Sequence, residues 1–169
     1  VRAFGVDIGL SRANPIAWAL LDIESDRLIA VGMLAVNARL SWEERIPRLA
    51  EAIKAEVSDL AQPDVMGFEM AYLGKSPQVA IKLSGLIGAL LLIAYQLDVP
   101  GLIVQPAEAA NALLGHPGGG RDEKKRAAVR AVQQRYNVTV SDHEADAIAV
   151  ALHAGSMHRQ AQWYKKAVV

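Results

Sequence analysis

Cysteine is absent from the 169-residue chain, which excludes a disulfide framework and any thiolate metal site. Net charge is absent too, because 18 lysines and arginines balance 18 aspartates and glutamates. The longest apolar run, Leu86 to Ala94, falls short of the about 20 residues that a spanning helix needs. The opening VRAFGVDIG has one basic residue and then a strand pattern, unlike a secretory leader. These absences lead us to expect a soluble, cytoplasmic protein. With 52% hydrophobic and 21% charged residues, the chain can bury a core, and residues 1–169 are read as one domain.

The neutral total hides an uneven distribution. RDEKKRAAVRAVQQR, residues 121–135, holds six basic and two acidic residues, whereas the stretch from Ser41 to Asp64 is rich in glutamate. A basic face can therefore exist on a neutral protein, so a polyanionic partner stays open. Apolar alternation predicts strands in RAFGVD, NPIAWALLDI and RLIAVGMLAV, the last two joined by the turn ESD. Ser41 with Glu44 three positions on forms a capping box for a helix to Leu60. Pro47 either bends that helix or marks its first turn. DVMGFEM and GLIVQ read as short buried strands, and residues 78–97 as a long apolar helix. Residues 106–115 and 121–135 read as further helices around the loop HPGGG, and a last helix follows VTVSD. Three antiparallel strands followed by alternating helices and strands predict an α/β fold, a five-stranded mixed sheet flanked by helices.

Three acidic places stand out. Asp7 closes the first strand and Glu69 the fourth, each a carboxylate at the end of an apolar run. Buried carboxylates need a partner or a metal, although either residue taken alone reads equally well as a turn or edge residue. The third place heads the final helix, SDHEADAIAVALHA. His143 and Asp146 lie three apart and share a face, and Asp142 lies four before Asp146. Capping accounts for Asp142, and the helix N-terminus favours Glu144, but neither explains Asp146 on a helix that must pack. Oxygen and nitrogen donors from two strand ends and one helix start match the way hard divalent ions are held for phosphate chemistry.

VRAFGVDIGLSR, DVMGFEMAYLGKSPQVAIKLSGLIG and HEADAIAVALHA resemble, in order and spacing, the motifs of RuvC-type Holliday-junction resolvases of the RNase H-like nuclease superfamily. The resemblance runs to about residue 155, and its most specific piece is ADAIAVA. It maps the catalytic and metal-ligating positions onto Asp7, Glu69, His143 and Asp146, with Asp142 as the alternative ligand to its neighbour. It implies an RNase H-like fold and paired nicking of four-way DNA junctions with two magnesium or manganese ions per site. The cut would leave a 5′-phosphate and a 3′-hydroxyl. Lys124 matches a family phosphate-contacting lysine best, with Lys125 and Arg126 beside it. Tyr72 falls where the family places an aromatic residue near the crossover. Lys75, Lys82 and Arg121 complete the implied DNA-binding set.

The chain departs from the pattern at four places. Ile8 stands where relatives usually carry proline, Met70 follows the glutamate in place of a polar residue, a family lysine is missing near Ala110, and GHPGGGRDEKK is a longer loop. These departures bear on substrate preference more than on the chemistry, so a nuclease acting on forks, flaps or branched phage DNA stays open beside a non-catalytic junction binder. An actin-like ATPase needs two phosphate loops and a longer chain. The apolar helix 78–97, with Gly85 and Gly88 three apart, predicts a homodimer, since a four-way junction needs two matched nicks. A branch-migration helicase is a further implied partner.

Overall fold

The computed structural model describes residues 1–70, 76–116 and 118–167, the last four of these by backbone alone. Strands β1 (Arg2–Asp7), β2 (Ile16–Asp22) and β3 (Arg27–Leu34) form an antiparallel meander. The turn between β2 and β3 is closed by Asp22 Oδ1, which accepts from the backbone N–H groups of Glu24 and Ser25 at 3.0 and 3.3 Å. Strands β4 (Val65–Glu69) and β5 (Gly101–Val104) then add in parallel on the other side of β1. The sheet order is β3-β2-β1-β4-β5, so the strand carrying Asp7 is central. The expected α/β mixed sheet is what the chain forms.

Side chains alternate between the two faces of a strand, and both faces of this sheet are covered. Phe4, Val6, Ile16, Trp18, Leu20, Met66 and Phe68 point to the face covered by α1 (Trp42–Asp59) and α2 (Pro77–Gln96). Ala3, Ala17, Ala19, Leu21 and Val65 point to the other, covered by α3 (Pro106–Leu114), α4 (Arg121–Tyr136) and α5 (Asp142–Ala167). The Ser41–Glu44 capping box forms at the start of α1. The helix runs on through Pro47, whose ring nitrogen has no hydrogen for the carbonyl four residues back.

One expectation needs correction. By length and composition, α2 as a whole is long and apolar enough to cross a membrane. Judging only the unbroken run Leu86–Ala94 missed this, because Lys82 and Ser84 interrupt the run without making the helix polar. Ala80, Leu86, Ile87, Leu90, Ile93 and Ala94 of α2 are buried in the core with α1 and the sheet, as in the core helix of a globular domain.

Helix α5 packs more extensively on β1 than on any other element, and small residues allow it. A Cβ on Gly5 would run into the Ala147 carbonyl oxygen and the Ala151 nitrogen. From α5, Ala145, Ala147, Ala151 and Ala154 face inward and are fully buried. Backbone therefore lies almost directly on backbone. This close approach carries the head of α5 to the end of the sheet where β1 and β4 finish.

Candidate active site

On β1 the face toward α5 reads Ala3, Gly5, Asp7, and on β4 it reads Val65, Gly67, Glu69. Small residues admit the helix and an acid ends each strand. The two strands are parallel, with Val6 opposite Phe68 as their last pair, so Asp7 and Glu69 emerge side by side at the same end. Asp7 is only 5% exposed and is the buried charged residue among those described. The expectation that these two carboxylates meet holds.

The head of α5 brings the third acidic place. Ser141, not Asp142, caps this helix: its hydroxyl oxygen accepts from the Glu144 N–H at 3.2 Å, while Glu144 Oε2 accepts from the Ser141 N–H at 2.8 Å. That corrects the capping role expected for Asp142 and frees its side chain to meet Lys125, Nζ to Oδ2 at 2.5 Å. His143 turns the other way, its Nδ1 lying 2.8 Å from Asp7 Oδ2 and its Nε2 3.3 Å from the Ala13 carbonyl oxygen. With an acceptor facing each ring nitrogen, this geometry suits the doubly protonated imidazolium. The hydrogen bond to Asp7 holds the His143 pKa above its ordinary value against the opposing effect of burial.

Crowded negative charge shapes the remaining carboxyls. Burial, then the charge of Asp7, a hydrogen bond with it and the charge of Asp146 push Glu69 up to about 9, with Lys125 pulling the other way. Burial and the charge of Asp7 push Asp146 up to about 6, against Lys125. The charge of Asp142 adds to the crowding on Asp146, while its own hydrogen bond to Lys125 holds its carboxyl below the usual range.

Among the described residues, no three histidine, aspartate or glutamate side chains already stand in a ready shell for one ion. The His143 imidazole lies against Asp7, Nδ1 to Oδ2 at 2.8 Å. The donor set still fits hard divalent cations: carboxylates from β1, β4 and α5, one of them buried, with an imidazole alongside. Burial and mutual repulsion raise Glu69 and Asp146, and a bound cation would relieve that repulsion.

The loop between β1 and β2 is braced from below. Ser11 and Asn14 bond each other, N–H to carbonyl at 3.1 Å and N–H to hydroxyl at 3.0 Å. A Cβ on Gly9 would collide with the Asn14 carbonyl, so the loop closes only over glycine. The Arg45 guanidinium donates to the carbonyls of Leu10, Ala38 and Leu40, tying this loop to α1. Sequence reasoning passed over Arg45 and the Ala13 carbonyl, for which only the assembled fold gives a signal.

Of the basic residues proposed from sequence, Lys125 comes nearest the acids, half-buried and close enough for Asp146 and Glu69 to feel its charge. Burial lowers its pKa, but the Asp142 bond and the charges of Asp142 and Asp146 outweigh this and raise it. Lys124, the stronger sequence match, lies one position away and is exposed, and Arg121 and Arg126 are exposed too. A signal for Lys125 was present in the sequence. It lies three residues before Ala128 and seven before Val132, the buried residues of α4, so it shares their inward phase. Lys82 is on α2 across the sheet and makes no hydrogen bond or ion pair with the four acidic-site residues among those described. Tyr72 and Lys75 lie outside the described residues.

The mixed sheet with a central acidic strand, and a helix head bringing further polar side chains to the same end, define an RNase H-like fold. The family model for crossover junction endodeoxyribonuclease RuvC matches residues 4–154, and the chain belongs to that family. The RuvC of Roseiflexus sp. (strain RS-1) is 28% identical over 154 residues, covering 89% of this chain and 88% of that protein. The RuvC of Borrelia turicatae (strain 91E135) is 26% identical over 171 residues, covering 94% and 98%. Among solved structures, Thermus thermophilus RuvC matches with a TM-score of 0.76 at 20% identity, over 95% of this chain and 97% of that one. T. thermophilus RuvC in complex with Holliday junction substrate gives 0.77 at 18% identity, over 95% and 96%.

Proposed function

We propose that this chain resolves four-way DNA junctions by paired, metal-dependent hydrolysis of phosphodiester bonds at Asp7, Glu69, His143 and Asp146. The observation that carries this reading is the convergence of Asp7 and Glu69 at one end of the sheet with the head of α5. In this reading residues 1–169 act as one cytoplasmic nuclease domain.

Asp7, on the central strand, with Glu69, Asp146 and His143, would hold the magnesium or manganese ions. When bound, such ions lower the pKa of a water nucleophile and stabilise the leaving oxygen. The residues of the chain prepare this in distinct ways. Glu69 and Asp146 hold protons more tightly than free carboxyls do, so loading would release those protons. A ring nitrogen of His143 would have to be unprotonated to act as a ligand. Lys125, tethered by Asp142 at the edge of the cluster, would meet the phosphate carrying the scissile bond. Water adds at phosphorus as the bond to the 3′ oxygen breaks, leaving a 5′-phosphate and a 3′-hydroxyl.

Assembly is part of the proposal. Ile81, Gly85, Gly88, Leu92 and Tyr95 are all exposed on α2, spaced four, three, four and three apart. Leu92 is 55% and Tyr95 81% exposed, and a Cβ on Gly88 would meet nothing within 4 Å. A stripe of this spacing suits a helix from a second copy, and a two-fold dimer would present two sites to a junction.

The test is incubation of a labelled four-way junction with magnesium or manganese, against chelator and against Asp7→Asn. The proposal expects paired nicks from the wild type alone, with binding retained in the variant. Cutting by Asp7→Asn near the wild-type rate would remove Asp7 from the centre, and equal cutting of forks and flaps would make the enzyme a broader branch nuclease.

A further inference from the structure

Beyond the acidic cluster, a cavity of about 430 Å³ opens along α4, lined by Lys125, Arg126, Val129, Arg130 and Asp142. Its inner end is the Lys125–Asp142 ion pair, beside the acids. Its outer wall holds Arg126 and Arg130, both exposed, and neither makes a hydrogen bond or ion pair with another described residue. The two lie four positions apart and so on one helix face, about 6 Å apart along the axis. Val129 sits between them in the lining.

We propose that this groove holds the sugar–phosphate backbone of the DNA strand as it leaves the scissile phosphate, with Arg130 as a further phosphate contact beyond Lys125 and Arg126. The inference rests on the junction-nuclease reading and extends it to a residue that the sequence comparison did not single out. Three features favour a phosphate backbone as the occupant. The groove shares Lys125 with the edge of the acidic centre, since the charge of that lysine reaches Glu69 and Asp146, so a strand placed for cutting would pass its mouth. Arginine forks bind phosphate oxygens in pairs. A 6 Å step spans about two phosphates of one strand at 3.4 Å axial rise. The one acid in the lining, Asp142, is occupied by Lys125 and does not neutralise the outer arginines.

Binding of a labelled four-way junction in chelator, where nothing is cut, tests this across a salt series. Arg130→Gln should weaken binding about three- to tenfold and make the salt slope shallower by about one. Arg130→Lys should recover much of the affinity, and Arg126→Gln with Arg130→Gln should lose more than either alone. Arg48→Gln, an exposed charge on α1 across the sheet, should leave both affinity and slope unchanged. Unaltered binding by Arg130→Gln would overturn the groove, and so would an equal loss in Arg48→Gln, which would make the effect one of net charge. Failure of the wild type to bind or cut junctions would instead sink the functional reading.

Discussion

Replacing Asp146 with asparagine should make the metal-free protein more stable, although it removes a proposed metal ligand. In the fold this carboxyl titrates at about 6, against 3.8 unperturbed, because it is largely buried beside Asp7. The folded state thus holds the proton more tightly than the unfolded chain. The stability that Asp146 contributes is fully present below about pH 4 and is lost as pH rises through about 6. Two pKa units at about 1.4 kcal/mol each correspond to about 3 kcal/mol. Partial solvent access reduces this to about 2 kcal/mol. The asparagine side chain keeps the shape and omits the charge, so at pH 8 in chelator Asp146→Asn should melt about 4–8 °C above wild type. Saturating manganese should reverse the order, since a ligand at a hundred times its Kd adds about 2.7 kcal/mol to a protein that binds it. Thermal unfolding followed by circular dichroism, with and without metal, reads both effects. A variant that melts at or below the wild-type temperature in chelator would refute the reasoning, because Asp146 would then be satisfied without a cation.

His143 should make metal affinity depend on pH: manganese binding weakens as pH falls through the raised pKa of the imidazole, whose proton must leave. Titration calorimetry in two buffers of different ionisation heat should detect the released proton, and His143→Ala should release less. In the apo protein the same raised pKa contributes stability that is full below about 6.5 and fades as pH rises through it. Gly5→Val should destabilise the fold by about 3 kcal/mol or more, since its side chain meets backbone of α5 that cannot yield; chemical denaturation measures it. Leu92→Glu should shift the protein toward monomer in light scattering, and a dimer of unchanged mass would move the interface away from α2.

Much of the site was legible in the chain because it uses local rules. Asp7 and Glu69 end short apolar runs, and residues alternating along a strand share a face, so the acids had to emerge at strand ends. The capping box at Ser41 and Glu44 depends on neighbours three residues apart, and it formed as the pattern required. The head of α5 was harder to read. Asp142 and Ser141 are both good caps by composition, and only the packing of α4 against α5 assigned Asp142 to Lys125 and left Ser141 to cap.

Nothing in residue order marks contacts between distant segments. His143 meets Asp7 across 136 positions, and Arg45 reaches the Leu10 carbonyl across 35. Such pairs follow from how closely α5 lies on β1, which is decided by glycine and alanine fitting against backbone. The sequence alone determined which residues can bear charge, where strands and helices begin, and which ends are acidic, since those follow from chemistry and period along the chain. The tertiary structure decided which acid receives the imidazole and where the basic groove runs, because those depend on distances set only once the helices have packed.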